Sequence, residues 1–413
     1  PQPVGGRPDR GSFTKKASSE HIPAKFFEKE CNYPETIPFF AEHFSGKSPT
    51  FEAIYPKSPK GMKIEVEKAA KSRIDEVSFD NMPFGRYMSD HMFICQYKDG
   101  AWQNPRIVPY GPLELAPSCK VFHYGQAIFE GMKAFKDADG RVFLFRPSDN
   151  QVRFNKSAVR MNMPEFPAGT FHEAIQMLLK LDRDWIPQGL GKSYYIRPFM
   201  IASEPALNAV PSKEYLMLII GGPVDTIFHG EVKVKIADHF SRAANGGTGF
   251  AKCAGNYGGQ FYPSTLASEE GYQSVIWTDD ATHQFLEEAG QMNFMLRIGD
   301  TLRTAPVSER LLDGITRRSI LQLAQDMGIK TEVSPISVQQ VLDAADKGEL
   351  KEAFGCGTAA VISPICGLGY KDRYMPLPEL SAEESFGERL RQRIFDIQYN
   401  RTSDPYGWRV EVK

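Results

Sequence analysis

Short strand-like runs that alternate with helical patterns between about residues 84 and 220 constrain the fold of this chain most strongly. The runs are "HMFICQY", "RVFLFRP", "SYYIRPFMIA" and "EYLMLIIGG". The better helical pattern begins "GTFHEAIQMLLKLDRDW", where Thr170 and Glu173 have the spacing of a capping box. Alternation of this kind is typical of a mixed α/β (α+β) domain.

A second domain is predicted downstream. Gly and Pro cluster in "GGPVDTIFHGE", residues 221–231, between a strand that ends at Ile220 and the alternating run "EVKVKIADHF". We therefore expect a linker there, joining a small domain of residues 61–220 to a large domain of residues 232–413. The large domain is expected to contain strands near 274–278 and 284–298 and helices near 316–327 and 383–399.

Charge and cysteine usage exclude several classes of function. Among 413 residues, 49 basic and 51 acidic side chains leave a net charge of −2, so no global field favours nucleic acid or an anionic membrane. The six cysteines are scattered, with neither a CxxC pair nor metal-ligand spacing, so no metal site is expected. A reducing cytoplasm fits best, and no apolar run approaches the length of a membrane span.

Residues 1–60 form an extension whose role the sequence does not reveal. They are rich in Pro, Gly, Ser and Lys. Residues 1–30 include acidic groups and lack an apolar core, which is unlike a signal or transit peptide. The start at Pro1, without Met, suggests processing or trimming.

Lys252 in "GFAKCAGNYGG" differs from a solvated surface lysine in its neighbours. Ala251, Cys253, Ala254 and Gly255 provide no carboxylate and little bulk, so another molecule can approach a poorly solvated amine. Such an amine can attack a carbonyl and form a Schiff base. If the carbonyl belongs to pyridoxal phosphate, the site also needs an acid for the pyridine nitrogen, a donor for the phenolate oxygen and an anion pocket for the phosphate.

Each of these partners has a candidate in the sequence. Glu288 lies within the apolar run "FLEEAGQMNFML" and needs a cationic partner, and Tyr257 follows Lys252 by five residues. "DGITRRSILQLAQDMG" opens a helix with Gly and Thr, which predicts an anion site at the amides of residues 314–316. "FGCGTAA" is a second small-residue turn, with a hydroxyl at Thr358. Spacing alone does not single out Arg153 from the other arginines as a phosphate ligand.

Six motifs together resemble the branched-chain-amino-acid aminotransferases, which are pyridoxal-phosphate enzymes of fold type IV. They occur in the order seen in that family: "FEGMKAF", "FRPSDNQVRFNKSA", "YIRP", "KCAGNYGG", "EEAGQMN" and "LLDGITRRS". Six ordered motifs are far more specific than any one of them. The resemblance implies two α/β domains with the cofactor in the cleft between them, and a homodimer in which a loop of one subunit closes the pocket of the other.

The resemblance also implies roles for individual residues. Lys252 would form the Schiff base and move the substrate proton, Glu288 would keep the pyridine nitrogen protonated, and Tyr257 would face the phenolate oxygen. Arg153, Ile315, Thr316 and Thr358 match the positions that bind the phosphate. Phe84, Tyr124, Phe129 and Tyr195 match the apolar side-chain pocket, Arg197 matches the arginine for a distal carboxylate, and Thr358 and Ala359 match the amides that bind the α-carboxylate.

The reaction implied is exchange of the amino group of L-leucine, L-isoleucine or L-valine with 2-oxoglutarate, giving branched-chain 2-oxo acids and L-glutamate. Two alternatives of the same fold type remain: a D-amino-acid or (R)-amine transaminase, and an aminodeoxychorismate lyase. A catalytically silent homologue that only binds the cofactor or a protein is a third. "FEGMKAF" with "YIRP" favours the branched-chain enzyme, and Lys252, Tyr257 and Glu288 together disfavour the silent one.

Overall fold

A computed structural model describes residues 61–225 and 232–413 of the chain. The N-terminal extension, residues 1–60, and residues 226–231 of the predicted linker lie outside these ranges, so their predicted roles are not addressed by it.

The first of two β-sheets is built almost wholly from residues before 225. In chain order its strands are β1 (Glu65–Val66), β2 (His91–Lys98), β3 (Ala101–Pro109), β4 (Ala127–Phe129), β5 (Met132–Lys136), β6 (Val142–Phe145), β7 (Ser193–Ala202) and β8 (Tyr215–Val224). They are ordered β1-β3-β2-β8-β7-β5-β6, and β4 pairs with β7. Apart from the parallel pair of β1 and β3, neighbouring strands are antiparallel.

The second sheet is mixed and follows in the chain. Its strands are β9 (Lys233–Ile236), β10 (Ser274–Thr278), β11 (Phe285–Ala289), β12 (Met292–Ile298), β13 (Thr301–Thr304), β14 (Lys330–Val333), β15 (Ile336–Ser337), β16 (Leu350–Gly357), β17 (Val361–Ile365), β18 (Gly367–Tyr370) and β19 (Arg373–Pro376). They are ordered β14-β13-β12-β11-β10-β9-β18-β19, with β15 on β11 and β16 between β12 and β17. A last strand, β20 (Arg409–Glu411), returns to the first sheet and pairs with β6.

Eight α-helices lie in the described ranges. They are α1 (Lys120–Tyr124), α2 (Pro147–Arg160), α3 (Ala168–Leu181), α4 (Gly255–Gly258), α5 (Phe261–Glu269), α6 (Ile315–Asp326), α7 (Val338–Asp346) and α8 (Phe386–Gln398). Short 3-10 turns occur at Ile74–Glu76 and Arg183–Trp185.

Amphipathic helices bury their apolar faces on both sheets. Phe154 of α2 and Phe171 of α3 are fully buried in one core with the first sheet. Ile320 of α6 and Leu390 of α8 pack in another core, which also includes Phe135 of β5. Burial of side chains this large is the main stabilising contribution, at about 25 cal/mol per Å² of apolar surface. Phe135 belongs to the first sheet and the other strand residues of this core, such as Met295, to the second, so the two sheets are packed against a common core.

Most of the predicted elements occur, and their boundaries differ in instructive ways. The predicted strand 274–278 is β10, and 284–298 is a hairpin of β11 and β12 that turns at Gly290. The strand predicted to end at Ile220 continues to Val224, because its residues up to 224 stay paired with β7.

The predicted capping box is wrong. Helix α3 begins earlier, at Ala168, and no side chain caps it. Thr170 lies inside the helix, and its hydroxyl accepts a hydrogen bond from the Met62 amide at 3.3 Å instead. The fold class itself, mixed α/β with two sheets, is as predicted, whereas the division into domains at 221–231 stays a prediction.

Among the described residues, no helix is long and apolar enough to cross a membrane. Within the same ranges, no cluster of three or more His, Cys, Asp or Glu side chains is arranged to hold a metal ion.

Candidate active site

A cleft of about 1020 Å³ opens between the two sheets. One wall comes from β4 and β7, and the other from β11, β12, the start of α6 and the turn after β16. With the exception of Tyr124, every site residue predicted from sequence and resemblance lines it: Phe84, Phe129, Arg153, Tyr195, Arg197, Lys252, Tyr257, Glu288, Ile315, Thr316, Thr358 and Ala359. Residues far apart in sequence are therefore brought to one cavity.

Hydrogen bonds to the first sheet hold Lys252 at the cleft. The backbone carbonyl of Lys252 accepts from the Phe129 amide at 3.0 Å, and the Ala254 amide donates to the Ala127 carbonyl at 3.0 Å, so this segment acts as an extra partner of β4. The Lys252 amide donates to Ser157 Oγ of α2 at 2.9 Å. The lysine backbone is thus anchored while its side chain extends into the cavity.

The amine of Lys252 has a hydroxyl partner and an aromatic wall. Its Nζ donates to the hydroxyl of Tyr257, five residues along, at 3.1 Å. The same Nζ lies 4.7 Å from the ring centroid of Phe129, which in turn packs 5.0 Å from the ring of Tyr257. No ion pair to Lys252 occurs within residues 61–225 and 232–413. The charges of Glu130 and Glu288 act on this half-buried amine without pairing with it. Its predicted reactivity toward a carbonyl stays a prediction.

Glu288 is a buried residue of β11 that lines the cavity, and its two carboxylate oxygens have different partners. Its Oε1 accepts from the Leu312 amide at 2.7 Å and from Asn293 at 3.3 Å. Its Oε2 lies 3.1 Å from Arg242 Nε, but that nitrogen makes no aligned hydrogen bond. Burial raises the pKa of Glu288, and the charge of Arg242 opposes the shift. The cationic partner that the sequence demands is therefore already supplied, in part, by Arg242.

Arg153 projects from α2 and is held by a buried carboxylate. Its Nε and Nη2 donate to the two oxygens of Glu130 at 2.6 and 2.9 Å, and its Nη1 donates to the Asp313 carbonyl at 3.0 Å. Asn150 donates to the same carboxylate at 2.8 Å. Burial opposes ionisation of Glu130, yet Arg153 lowers its pKa below the ordinary value. This bidentate pair orients the guanidinium and also neutralises much of its charge.

The N-terminus of α6 meets the cleft without a capping side chain. Gly314 is the residue before the helix, and a Cβ there would lie 1.7 Å from Asn293 Oδ1. Only glycine permits this approach. The first amides of a helix have no intrahelical acceptor, so those of Ile315 and Thr316 are available to an anion.

A three-residue turn between β16 and β17 lines the same cleft as the start of α6. The ladder ends at the pair Gly357 and Val361, which leaves Thr358, Ala359 and Ala360 outside it, and all three line the cleft. Val361 has φ 62°, a left-handed conformation that costs energy for a β-branched residue. Backbone strain of this kind is stored where the surrounding structure requires one particular turn.

Alternation along β7 sorts its side chains between core and cleft. Tyr195 approaches Gly131 so closely that a Cβ there would lie 2.0 Å from the tyrosine hydroxyl. Phe84 packs edge-on against Tyr195, with 4.8 Å between the two ring centroids. The two faces of the strand divide cleanly: Tyr194, Ile196, Met200 and Ala202 are buried in the core, whereas Tyr195, Arg197, Phe199 and Ile201 line the cleft.

Arg197 is held against aromatic rings on this wall. Its guanidinium carbon lies 4.7 Å from the Phe129 centroid and 5.3 Å from that of Tyr195, and Nη2 donates to the Tyr195 hydroxyl at 3.1 Å. Its Nε is buried without a hydrogen-bond partner in the described part of the chain. The site therefore offers a cation within an otherwise aromatic surface.

Tyr124 is the one predicted site residue that this arrangement does not bring in. It ends α1, is 44% exposed, and donates its hydroxyl to the carbonyl of Leu207. It lies beside Phe122, which is 60% exposed. Its role in a substrate pocket stays a prediction.

Comparison with known proteins identifies the family. A model of class IV aminotransferases matches residues 127–368. The chain is 40% identical over 360 residues to a probable branched-chain-amino-acid aminotransferase of Staphylococcus epidermidis, covering 85% of this chain and 98% of the relative. It is also 40% identical over 356 residues to branched-chain-amino-acid transaminase 1 of Bacillus subtilis, covering 84% and 99%. The chain belongs to the branched-chain-amino-acid aminotransferases of class IV.

The fold of this aminotransferase agrees with solved structures. A branched-chain amino acid aminotransferase from Thermobaculum terrenum, in its PLP form, superposes with a TM-score of 0.63 at 20% identity, over 78% of this chain and 98% of that one. The family and the fold type inferred from the six motifs are thus confirmed.

Several residues that line the cleft of this aminotransferase, or contact its lining, escaped prediction. Glu130 stands in the quoted motif "FEGMKAF", and its position beside Gly131 in an apolar run was the available signal. Phe199 and Ile201 follow Arg197 at a spacing of two, so strand periodicity alone indicates them. Arg242 gives no local signal, because its partner Glu288 lies 46 residues away along the chain (288 − 242 = 46).

Proposed function

We propose that this chain uses pyridoxal phosphate to exchange the amino group of L-leucine, L-isoleucine or L-valine with 2-oxoglutarate. The observation that carries the proposal is a single cleft that contains the Lys252–Tyr257 pair, a buried carboxylate and two anion-binding backbone segments. Relatives at 40% identity bear the name of this activity.

The residues present fit pyridoxal phosphate. Glu288 lines the cleft as a buried carboxylate, and Arg242 Nε beside it is buried without a hydrogen-bond partner among the described residues. The uncapped start of α6 and the turn at Thr358 offer amides, and Lys252 supplies an amine. When bound, the cofactor supplies a carbonyl for the amine and a ring that accepts an electron pair from the substrate α-carbon. The residues that would hold it are Lys252, Tyr257, Glu288, Arg153, Ile315, Thr316 and Thr358.

Each residue then has a defined task. Lys252 Nζ holds and moves a proton at the reacting carbon, and the hydroxyl of Tyr257 at 3.1 Å orients that amine. Glu288 accepts a hydrogen bond from the Leu312 amide and is paired with Arg242, and it presents a buried carboxylate to the cofactor ring. The Phe129 ring excludes water from the amine on one side.

The substrate wall reconciles an apolar side chain with a carboxylate. Phe84, Phe129 and Tyr195 bury a branched aliphatic group, while Arg197 stays covered by two of these rings until a distal carboxylate meets it. A cation over aromatic faces costs less to hold in an apolar pocket than a bare one. The turn at Thr358 and Ala359 would bind the α-carboxylate through its amides.

Reduction with borohydride tests the cofactor assignment. Of the lysines in the described residues, Lys252 alone lines the cleft. We expect the protein loaded with pyridoxal phosphate to be yellow and, after reduction, to carry the cofactor on the peptide that contains Lys252. A Lys252→Ala variant is the control and should take up no covalent label. Label on another peptide of the wild type would refute the assignment.

A donor panel separates the proposed activity from the alternatives. With 2-oxoglutarate as acceptor, L-leucine, L-isoleucine and L-valine should form glutamate, whereas D-leucine and (R)-amines should not. Preference for D-leucine would indicate the D-amino-acid enzyme. Release of pyruvate from aminodeoxychorismate would indicate the lyase.

A homodimer in the cytoplasm is part of the same proposal. Phe122 and Leu207, 60% and 62% exposed, flank Tyr124 outside the cleft of their own chain. Burial against a second copy would cover them, and a loop that enters the partner's cleft would give Tyr124 its place in a substrate pocket. The five cysteines in the described ranges are unpaired, in keeping with a reducing compartment.

A further inference from the structure

Lys133 on β5 is a buried cation next to the anion site, and it takes no part in the chemistry above. Its side chain is 5% exposed, and its Nζ donates to the carbonyl of Ala359 at 2.6 Å. No carboxylate pairs with it among the described residues. An unpaired charge held away from water is costly, so its retention calls for a partner anion.

The position of Lys133 indicates where such an anion would lie. Lys133 lines a small cavity of about 20 Å³ directly behind the cleft. Three residues, Ile315, Thr316 and Thr358, belong to the walls of both cavities. These are the residues assigned to phosphate binding, so an anion bound there would lie across one wall from the ammonium.

The other charges of the site do not supply a full counter-charge for a bound anion. Arg153, the expected phosphate arginine, is already neutralised by the bidentate carboxylate of Glu130. A phosphate dianion that met only Arg153 and backbone amides would lack a full counter-charge. The donation from Lys133 to Ala359 also polarises the peptide bond whose N–H belongs to Ala360, which lines the cleft.

We propose that Lys133 is a positioning residue whose buried charge supports an anionic group bound at Thr316 and Thr358. This inference rests on the proposed function, because the phosphate of the cofactor and the carboxylate of the substrate are the anions concerned. Both the phosphate and the carboxylate are anionic groups that carry several oxygens. Lys133 acts through the turn and does not enter the cleft.

Titration of Lys133 gives the proposal a signature. Burial lowers its pKa to about 8. A bound anion favours the ammonium, so binding should be strongest below pH 8 and weaken as the pH rises through that value. Among the described residues, no other ionisable side chain lines the small cavity, whose walls come from β5, β6, α2, α6, the turn, β17 and α8.

The charged groups on the elements around this cavity are paired with one another, except Arg317 of α6, whose Nη2 donates to the Ala305 carbonyl at 2.8 Å. On the neighbouring strand, Tyr195 lies opposite Lys133. The ion pairs are Glu130 with Arg153, Arg146 with Asp149, and Arg318 with Asp149 and Asp313. Lys133 is therefore the group whose titration should dominate the pH dependence near pH 8.

Sulfate binding to the cofactor-free, full-length protein tests the charge. Sulfate stays a dianion from pH 7 to 9.5, so only protein groups change its affinity, which calorimetry can measure. Wild type should weaken as the pH passes about 8. Lys133→Met should bind roughly tenfold more weakly at pH 7 and without pH dependence in this window. Lys133→Arg should bind as wild type at pH 7 and keep that affinity to pH 9.5.

Lys136, on the same strand, provides the matched control. Its Nζ donates to the Arg183 carbonyl at 3.2 Å, away from both cavities. Lys136→Met should bind sulfate as wild type does. Equal sulfate affinity and pH dependence in Lys133→Met and wild type would overturn the proposal.

Thermal unfolding separates this role from a merely structural one. Replacement of an uncompensated buried charge by an apolar group of similar size is commonly neutral or stabilising. Cofactor-free Lys133→Met should therefore melt at or above the wild-type temperature at pH 7, although it binds sulfate less well. A large fall in melting temperature would instead assign Lys133 to holding the turn, and would refute the charge argument.

Two binding measurements distinguish the sources of the anion. If the phosphate is concerned, Lys133→Met loses affinity for pyridoxal phosphate but not for pyridoxal. If the carboxylate is concerned, the loaded variant binds 4-methylpentanoate more weakly while its preference for pyridoxal phosphate is unchanged. Failure of the proposed function would be seen separately, as absence of cofactor label or amino transfer in wild type, while the sulfate measurements need neither.

Discussion

Arg197 shows how one side chain can serve two kinds of substrate. It is covered by the rings of Phe129 and Tyr195, and one buried nitrogen lacks a partner among the described residues. An aliphatic substrate leaves this arrangement undisturbed, whereas a distal carboxylate can complete the hydrogen bonding of the guanidinium.

Replacement of Arg197 by Ala should therefore separate the two half-reactions. We expect kcat/KM for 2-oxoglutarate and for glutamate to fall by about a hundredfold, because a charge-assisted hydrogen bond is lost, and that for leucine to fall far less. Steady-state kinetics of each substrate measure this. Arg373→Ala, which removes an exposed pair with Asp346, is the control and should change neither. Equal losses for leucine and 2-oxoglutarate would refute the role of Arg197.

At the same scale, the sequence indicates residues that carry reactive groups better than those that support them. Lys252, Tyr257 and Glu288 stand in motifs whose local composition is informative. Lys133 and Ala359 are 226 residues apart, and their contact exists only after both sheets have assembled. No local pattern encodes such a contact, which is why Lys133 was not predicted as a site residue.

The start of α6 is the element on which the anion site most depends. Its apolar stripe, Ile320 with Leu323, is legible in the sequence and buries the helix on β16 and α8. The sequence does not predict the absence of a capping side chain or the close approach of Asn293 to Gly314. The approach depends on the position of β12, which contains Asn293, relative to the start of α6.

Gly314→Ala tests this element. The added methyl group would displace Asn293, which donates to Glu288 and to the Leu312 carbonyl. We expect a loss of about 1–3 kcal/mol in stability, as for other overpacked sites, and weaker binding of pyridoxal phosphate. Thermal unfolding with and without the cofactor measures both. Gly111→Ala, where a Cβ has no neighbour within 4 Å, should change neither; an unaltered Gly314→Ala protein would contradict the assigned packing.

At the scale of the whole molecule, exposed apolar side chains around Tyr124 predict self-association. Light scattering should give twice the mass of one chain. Phe122→Asp should shift the protein towards monomer and lower its activity, since burying the new carboxylate in an interface is costly. Leu190→Asp is the control, because Leu190 is exposed to a similar extent, 54%, in a turn outside α1. A wild-type monomer with full activity would exclude the dimer.

The return of β20 to the first sheet has a consequence for how the chain is made. Arg409–Glu411 cover the edge of β6, which emerges from the ribosome 264 residues earlier (409 − 145 = 264). During that interval an open strand edge is exposed, and open edges invite pairing with other chains. A shortened product that lacked the last few residues would keep every group of the cleft and still be prone to aggregate.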